Sequence, residues 1–191
     1  MGAALGATRS TLRFTGDQEL DIEQAALTAS AGYRWSAHTT VRIAVGAVLD
    51  GALEADGRTH EIAPGLLAAV GLARQWQRGA WFATGTLGLG ASRVTTAERG
   101  DAQRTALIAT DLRVGVMAGR TFGPVSPYVL ARGFGGPVMW TLDDDAVTGT
   151  DVYKHQLGAG VSITTTGGVA ITLDLSLVGE RAASLGVTLP L

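Results

Sequence analysis

The sequence predicts an all-β protein, an up-and-down barrel of about ten antiparallel strands. Two observations carry that expectation. Apolar residues recur at every second position along almost the whole chain, the period at which side chains reach one face of a strand. Between these runs, short connections alternate with long polar ones, as they must where each strand returns beside its predecessor. No convincing amphipathic helix interrupts the series. The 191 residues suit one domain, 1–191, and ten strands put both ends of the chain on the same side. The alternative is eight strands with an N-terminal extension.

In chain order, a strand over roughly Ala3–Phe14 precedes the polar stretch "TGDQELD". "TTVRIAVGAVLD" sets Val41, Ile43, Val45, Ala47 and Leu49 opposite Thr40, Arg42, Ala44, Gly46 and Asp50. "AWFATGTLGLGAS" sets Trp81, Ala83, Leu87 and Leu89 against Thr84, Thr86, Gly88, Gly90 and Ser92. "HQLGAGVSIT" and "VAITLDLSL" repeat the pattern, and "GER" divides the C-terminal run into two strands. The long connections are "TGDQELD", "DGALEADGRTHEIAPG", "TTAERGDAQRT" and "LDDDAVTGTD".

Facing residues in a hairpin share a face, so the turns test these assignments. A turn at Arg78-Gly79 pairs Trp76 with Trp81, and one at Gly123-Pro124 pairs Phe122 with Val125. A turn over Ala37–Thr39 pairs Ser36 with Thr40 and Trp35 with Val41. "GER" pairs Val178 with Ala182. Every pair joins like faces, and the Phe122–Val125 hairpin also sets Arg132 opposite Gly115, diagonal to Arg113.

Alternation does not say which face is wet; composition does. Only 17% of residues are charged, 46% are hydrophobic, 27 are Gly and one, Lys154, is a lysine. The second face is mostly Gly, Ala, Ser and Thr, with isolated Arg42, Asp111, Arg113, Arg132, Lys154 and Asp174. A soluble lipocalin-like or avidin-like barrel would need a solvent face built of Gly and Ala. A transmembrane barrel places the apolar face in lipid and the small, polar face inside. An apolar band of about 25 Å crossed at a tilt of about 40° needs roughly ten residues per strand, which these runs supply. Tyr33, Trp35, Trp76, Trp81 and Phe122 fall on the apolar face beside the short turns, as an interfacial aromatic girdle would. Arg74 shares that face near the same end, where it can snorkel.

The net charge of −2 gives no basic field for nucleic acid. The absence of cysteine excludes disulfides, thiolate metal sites and cysteine nucleophiles. "MGAALGATRS" is not an intact secretory signal, so a mature chain behind an added or substituted Met1 is expected.

The chain closes on "SLGVTLPL". Ser184, Gly186, Leu189 and Leu191 resemble the C-terminal assembly signal of small Gram-negative outer-membrane β-barrels. Leu191 stands where that family usually has Phe or Trp, and Pro190 removes a ladder donor beside it. The resemblance extends along nearly the whole chain. It implies a bacterial outer-membrane location, outer-membrane lipid as surroundings, and the barrel-assembly machinery as partner during biogenesis. It also implies short turns in the periplasm and long loops outside. The last strand is then expected to close against the first, since an open edge in lipid leaves backbone groups unpaired.

Catalytic patterns are weak. His155 has Tyr153 and Leu157, not Ser, two residues away on its own face. His38 lies in a short turn, and His60 lies in a long loop. "DDD" reads as an acidic loop tip rather than a Ca²⁺ site, and no metal or cofactor is expected. The expected role is non-enzymatic: a polar, salt-bridged interior of Arg42, Asp111, Arg113, Arg132, Lys154 and Asp174, with long loops outside. The alternative is a narrow pore for small anionic solutes; an outer-membrane enzyme is the third reading.

Overall fold

The computed structural model describes residues 1–16, 18–55, 58–98, 104–142 and 145–190. Twelve strands form one antiparallel sheet: β1 (Gly2–Phe14), β2 (Glu19–Arg34), β3 (Thr39–Ala55), β4 (Arg58–Arg78), β5 (Trp81–Glu98), β6 (Thr105–Arg120), β7 (Val125–Gly135), β8 (Val138–Leu142), β9 (Asp145–Asp151), β10 (His155–Thr164), β11 (Ala170–Gly179) and β12 (Arg181–Thr188). Ten of them, β1 to β7 and β10 to β12, make a closed up-and-down barrel. The seam is β12 on β1, paired from Gly2↔Thr188 to Arg9↔Arg181. The Leu189 N–H adds a bond to the Met1 carbonyl at 2.7 Å. Leu191 lies outside the described residues.

The remaining two strands, β8 and β9, form a hairpin whose second strand lies in the stretch read from sequence as the loop "LDDDAVTGTD". β8 pairs with β6 through Leu107↔Trp140, Ile108↔Met139 and Ala109↔Val138. β9 pairs with β1 through Leu12↔Asp151, Arg13↔Thr150 and Phe14↔Gly149. The hairpin thus spans the gap above β7, β10, β11 and β12, which end sooner. The barrel has ten strands through most of its height and eight at its upper end.

The long polar stretches are therefore largely strand rather than loop, and their residues explain why. In the lower barrel Leu5, Leu27, Val45, Leu72 and Leu87 point outward, with Ala4, Thr28, Ala44, Ala73 and Thr86 inside. In the upper barrel the same faces carry the opposite polarity. Arg9, Arg13, Asp21, Glu23, Glu54 and Glu61 point outward, while Leu12, Phe14, Leu20, Leu53 and Ile62 are buried inside. A polar stretch can be a strand where its charged side chains meet water and its alternate apolar ones fill a core. Irregularities in pairing at Ala25/Ala26, Ala63/Leu66 and Leu157/Gly158 fall close to this change of polarity.

Two turns differ from the sequence expectation by two residues, which leaves every face unchanged. Tyr33, not Trp35, faces Val41, and the wider turn is closed by the Trp35 N–H donating to Thr39 O at 2.9 Å. Arg78, not Trp76, faces Trp81, because Gly79 takes the left-handed backbone at φ +60°. Phe122 does bridge Val125, and Arg132 does face Gly115. At "GER" the expectation fails. Ser176, not Val178, faces Ala182, because the bulge opposite Leu157/Gly158 turns Leu177 and Val178 both outward.

Gly179 makes that tight return, with φ +76° and an added Cβ only 1.9 Å from the His155 carbonyl oxygen. Gly179→Ala is expected to destabilise the barrel by at least about 1–2 kcal/mol, the usual strain of a left-handed residue. Urea unfolding in detergent micelles checks this; an unchanged midpoint would contradict the turn geometry.

Candidate functional site: the barrel interior

The interior has three levels. Uppermost is an apolar core inside the eight-stranded part. Leu12, Phe14, Leu20, Leu53, Ile62, Val94, Leu107, Val138 and Trp140 are all buried and pack together, with Val48 beneath them. Trp140 anchors the core at 2% exposure. Its ring centroid lies 5.8 Å from Phe14 and 5.1 Å from His60. Its indole N–H donates to Thr96 Oγ1 at 2.9 Å, and Thr96 shares a further 2.9 Å hydroxyl contact with Thr105. A buried indole needs such a partner, because an unpaired N–H costs about 1–3 kcal/mol. His60, expected in a loop, is a core residue. The acidic tip "DDD", Asp143 to Asp145, lies outside the described side chains.

Below the core lies a cavity of about 270 Å³ whose polar lining includes Ser10, Gln24, Asp111, Arg113, Asp151 and Glu180. Arg113 is the hub. Its guanidinium donates to Asp111 and, at 3.2 Å, to Glu180 Oε1, and it lies 4.9 Å from the Phe134 ring centroid. Gln156, 1% exposed, donates to Glu180 at 3.3 Å and accepts from Arg132 at 3.0 Å. Arg132 lies 3.9 Å from Asp174, which accepts from Tyr128 Oη and from Ser184 Oγ at 3.4 Å. Burial pushes the carboxyl of Glu180, in the β11–β12 turn, above its usual range; Arg113 opposes that shift. Burial acts likewise on Asp151, against the hydrogen bond it accepts from Ser10 at 3.0 Å.

Of the charged residues read from sequence as lumen groups, Asp111, Arg113, Arg132 and Asp174 meet in this column. Lys154 stands outside it, exposed at the upper rim beside Gly135. Arg42 points inward but lies lower, away from the acids. Glu180, Gln156 and Tyr128 were not singled out from the sequence. The strand period does place Gln156 and Tyr128 inward, and Glu180 sits in the β11–β12 turn after Gly179, at φ +76°, where the period no longer applies.

The third level opens at the short-turn end. It is a cavity of about 530 Å³ whose charged lining is Arg34, Arg42, Arg113 and Arg132, with His38 at the mouth. Among the described residues, no acidic side chain lines it.

The exterior of the ten-stranded part is a continuous apolar belt, with Leu66 75%, Leu177 76% and Val129 64% exposed. At its short-turn edge Tyr33, Trp35, Trp76, Trp81 and Phe122 all stand exposed. Arg120 lies over Trp81 and Phe122 at 5.4 and 5.0 Å, and Arg74 lies over Trp76 at 5.7 Å. Ser184, Gly186 and Leu189 of the terminal motif lie on or just after β12, with Leu189 outward. Among the described residues, no three His, Asp or Glu side chains gather to hold a metal ion.

No protein-family model matches this sequence, and no curated protein is similar to it in sequence. Solved structures are similar in fold. The transport unit of the autotransporter AIDA-I from Escherichia coli aligns at TM-score 0.49 and 9% identity, over 100% of this chain and 90% of that one. The translocator domain of autotransporter NalP from Neisseria meningitidis aligns at 0.46 and 12%, over 97% and 86%. The β domain of the Bordetella autotransporter BrkA aligns at 0.44 and 12%, over 97% of each chain. The chain is an all-β, closed, antiparallel ten-stranded barrel.

Proposed function

We propose that this chain is a non-enzymatic transmembrane barrel of the bacterial outer membrane, closed towards the outside, which carries a rigid β-extension above the lipid. The observation that carries this reading is the reversal of both faces at one height. Below it, large apolar side chains are exposed outward, an arrangement stable only where the surroundings are themselves apolar. Above it, charges point out and a dry core fills the inside, an arrangement suited to water. The boundary between them is where the outer lipid surface would lie, and the aromatic edge marks the opposite one.

Outer-membrane lipid is then the permanent partner, and the barrel-assembly machinery the partner during biogenesis. The apolar core around Trp140 lies across the route that a solute would take. A surface role for the extension therefore fits better than a pore for small anions. The test is planar-bilayer recording with the full chain refolded in detergent. The expected result is a heat-dependent shift in gel mobility, showing a folded barrel, together with a silent bilayer. Steady unitary currents would overturn the closed reading in favour of the pore. Solubility as a monodisperse β protein without detergent would overturn the membrane reading itself.

A further inference from the structure

We propose that the cavity at the short-turn end is a binding site for a small solute carrying two or more phosphate or carboxylate groups. Its cations are of two kinds. Arg113 and Arg132 reach it from the polar column, partly neutralised by Asp111, Glu180 and Asp174. Arg34 and Arg42 have no acidic partner among the described residues and line the same space from β2 and β3. Arginine forks with no carboxylate to hold suit an oxyanion, which each can grip through two N–H groups.

The wall between the two pairs is open for a reason the strands do not impose. Arg42 faces Gly71, Gly71 faces Gly88, and Gly88 faces Arg113 along one pairing row. At about 4.8 Å per strand, the two arginines stand about 14 Å apart along the wall. At some barrel positions glycine is demanded by packing: a Cβ on Gly46 would lie 2.1 Å from the Leu27 carbonyl oxygen. At Gly88 the nearest atom would be 3.6 Å away, and at Gly71 3.3 Å. A side chain at Gly88 would meet no neighbour it could not accept; it would fill the cavity. Thr40, Thr84, Thr86 and Gln75 complete the lining with neutral hydrogen-bonding groups. The bay therefore combines separated cations, space between them and no competing acid.

The inference rests on the barrel geometry and not on membrane location or closure, so its failure and theirs are separable. The experiment is titration calorimetry of the folded chain in neutral detergent at low salt, with pyrophosphate, citrate and inorganic phosphate as probes. Saturable binding is expected, with pyrophosphate or citrate tighter than phosphate; their order tells phosphate from carboxylate preference. Arg42→Gln, which breaks no ion pair, is expected to weaken it about tenfold, the range of one charge-assisted contact. Gly88→Leu keeps every charge and is expected to abolish binding by filling the bay. Arg181→Gln, on the outer face, is expected to leave affinity unchanged. Heat-dependent gel mobility establishes that each variant is folded. No heat up to millimolar probe would overturn the proposal. So would Gly88→Leu binding as the parent does, or Arg181→Gln losing as much as Arg42→Gln.

Discussion

Trp140→Ala is expected to be the most damaging single truncation in the described core, with a loss of about 3–5 kcal/mol. The ring sits against Phe14 and His60 within the apolar core, and β8 carries it into the barrel. Two costs combine. A void is left where the indole was, and Thr96 loses the donor that occupied its hydroxyl. The hairpin is held to β6 and β1 by short pairings only, so the loss should fall on the eight-stranded closure. Urea unfolding in micelles reads the stability. Planar bilayers read the seal, where the variant is expected to show brief openings absent from the parent. An unchanged midpoint with a silent bilayer would mean that Trp140 does not hold the core closed.

Arg113→Ala is the second large expected effect, about 3 kcal/mol. Breaking a buried ion pair by deleting one partner leaves a charge with neither water nor counter-ion. Glu180, 5% exposed, would be that charge. The figure is at the low end because Arg113 itself is half open to the lumen. The loss should depend on pH, and the sign is determinate. The folded Glu180 carboxyl already titrates above its unfolded value. Its contribution to stability is therefore fullest below the ordinary carboxylate pKa of about 4.3 and declines as pH rises through the folded value. Deleting Arg113 removes the charge that opposed this shift, so the variant should regain stability on acidification. Unfolding midpoints at several pH values check it. A loss independent of pH would assign Arg113 a packing role against Phe134 instead.

Much of the barrel was legible in the sequence because strand period is a local property. Every strand named from alternation is a strand, and a two-residue slip at Tyr33–Val41 or Arg78–Trp81 cannot move a side chain to the other face. Length and aromatic placement likewise depend only on position along each strand. The polar stretches were misread because charge density marks loops and water-exposed strands alike. Asp21, Glu23, Glu54 and Glu61 are polar for the second reason, and Leu20, Leu53 and Ile62 between them gave the clue. The bulge at Leu157/Gly158 was not legible, since one extra residue leaves no mark in composition. It decided that Leu177 and Val178 both face out.

By itself, the sequence determined the strands, their faces, the antiparallel order and the apolar exterior. Each of these follows from residue type at a two-residue period, with no knowledge of distant partners. The tertiary structure decided the rest: the register of the β1–β12 seam, the β8–β9 hairpin that narrows ten strands to eight, and the core around Trp140. It also decided which inward charges meet. Arg113 finds Glu180, 67 residues away, while Arg42 finds no acid among the described residues. Barrel closure brings side chains together around a circumference, and no pattern along one strand encodes which of them will share a height.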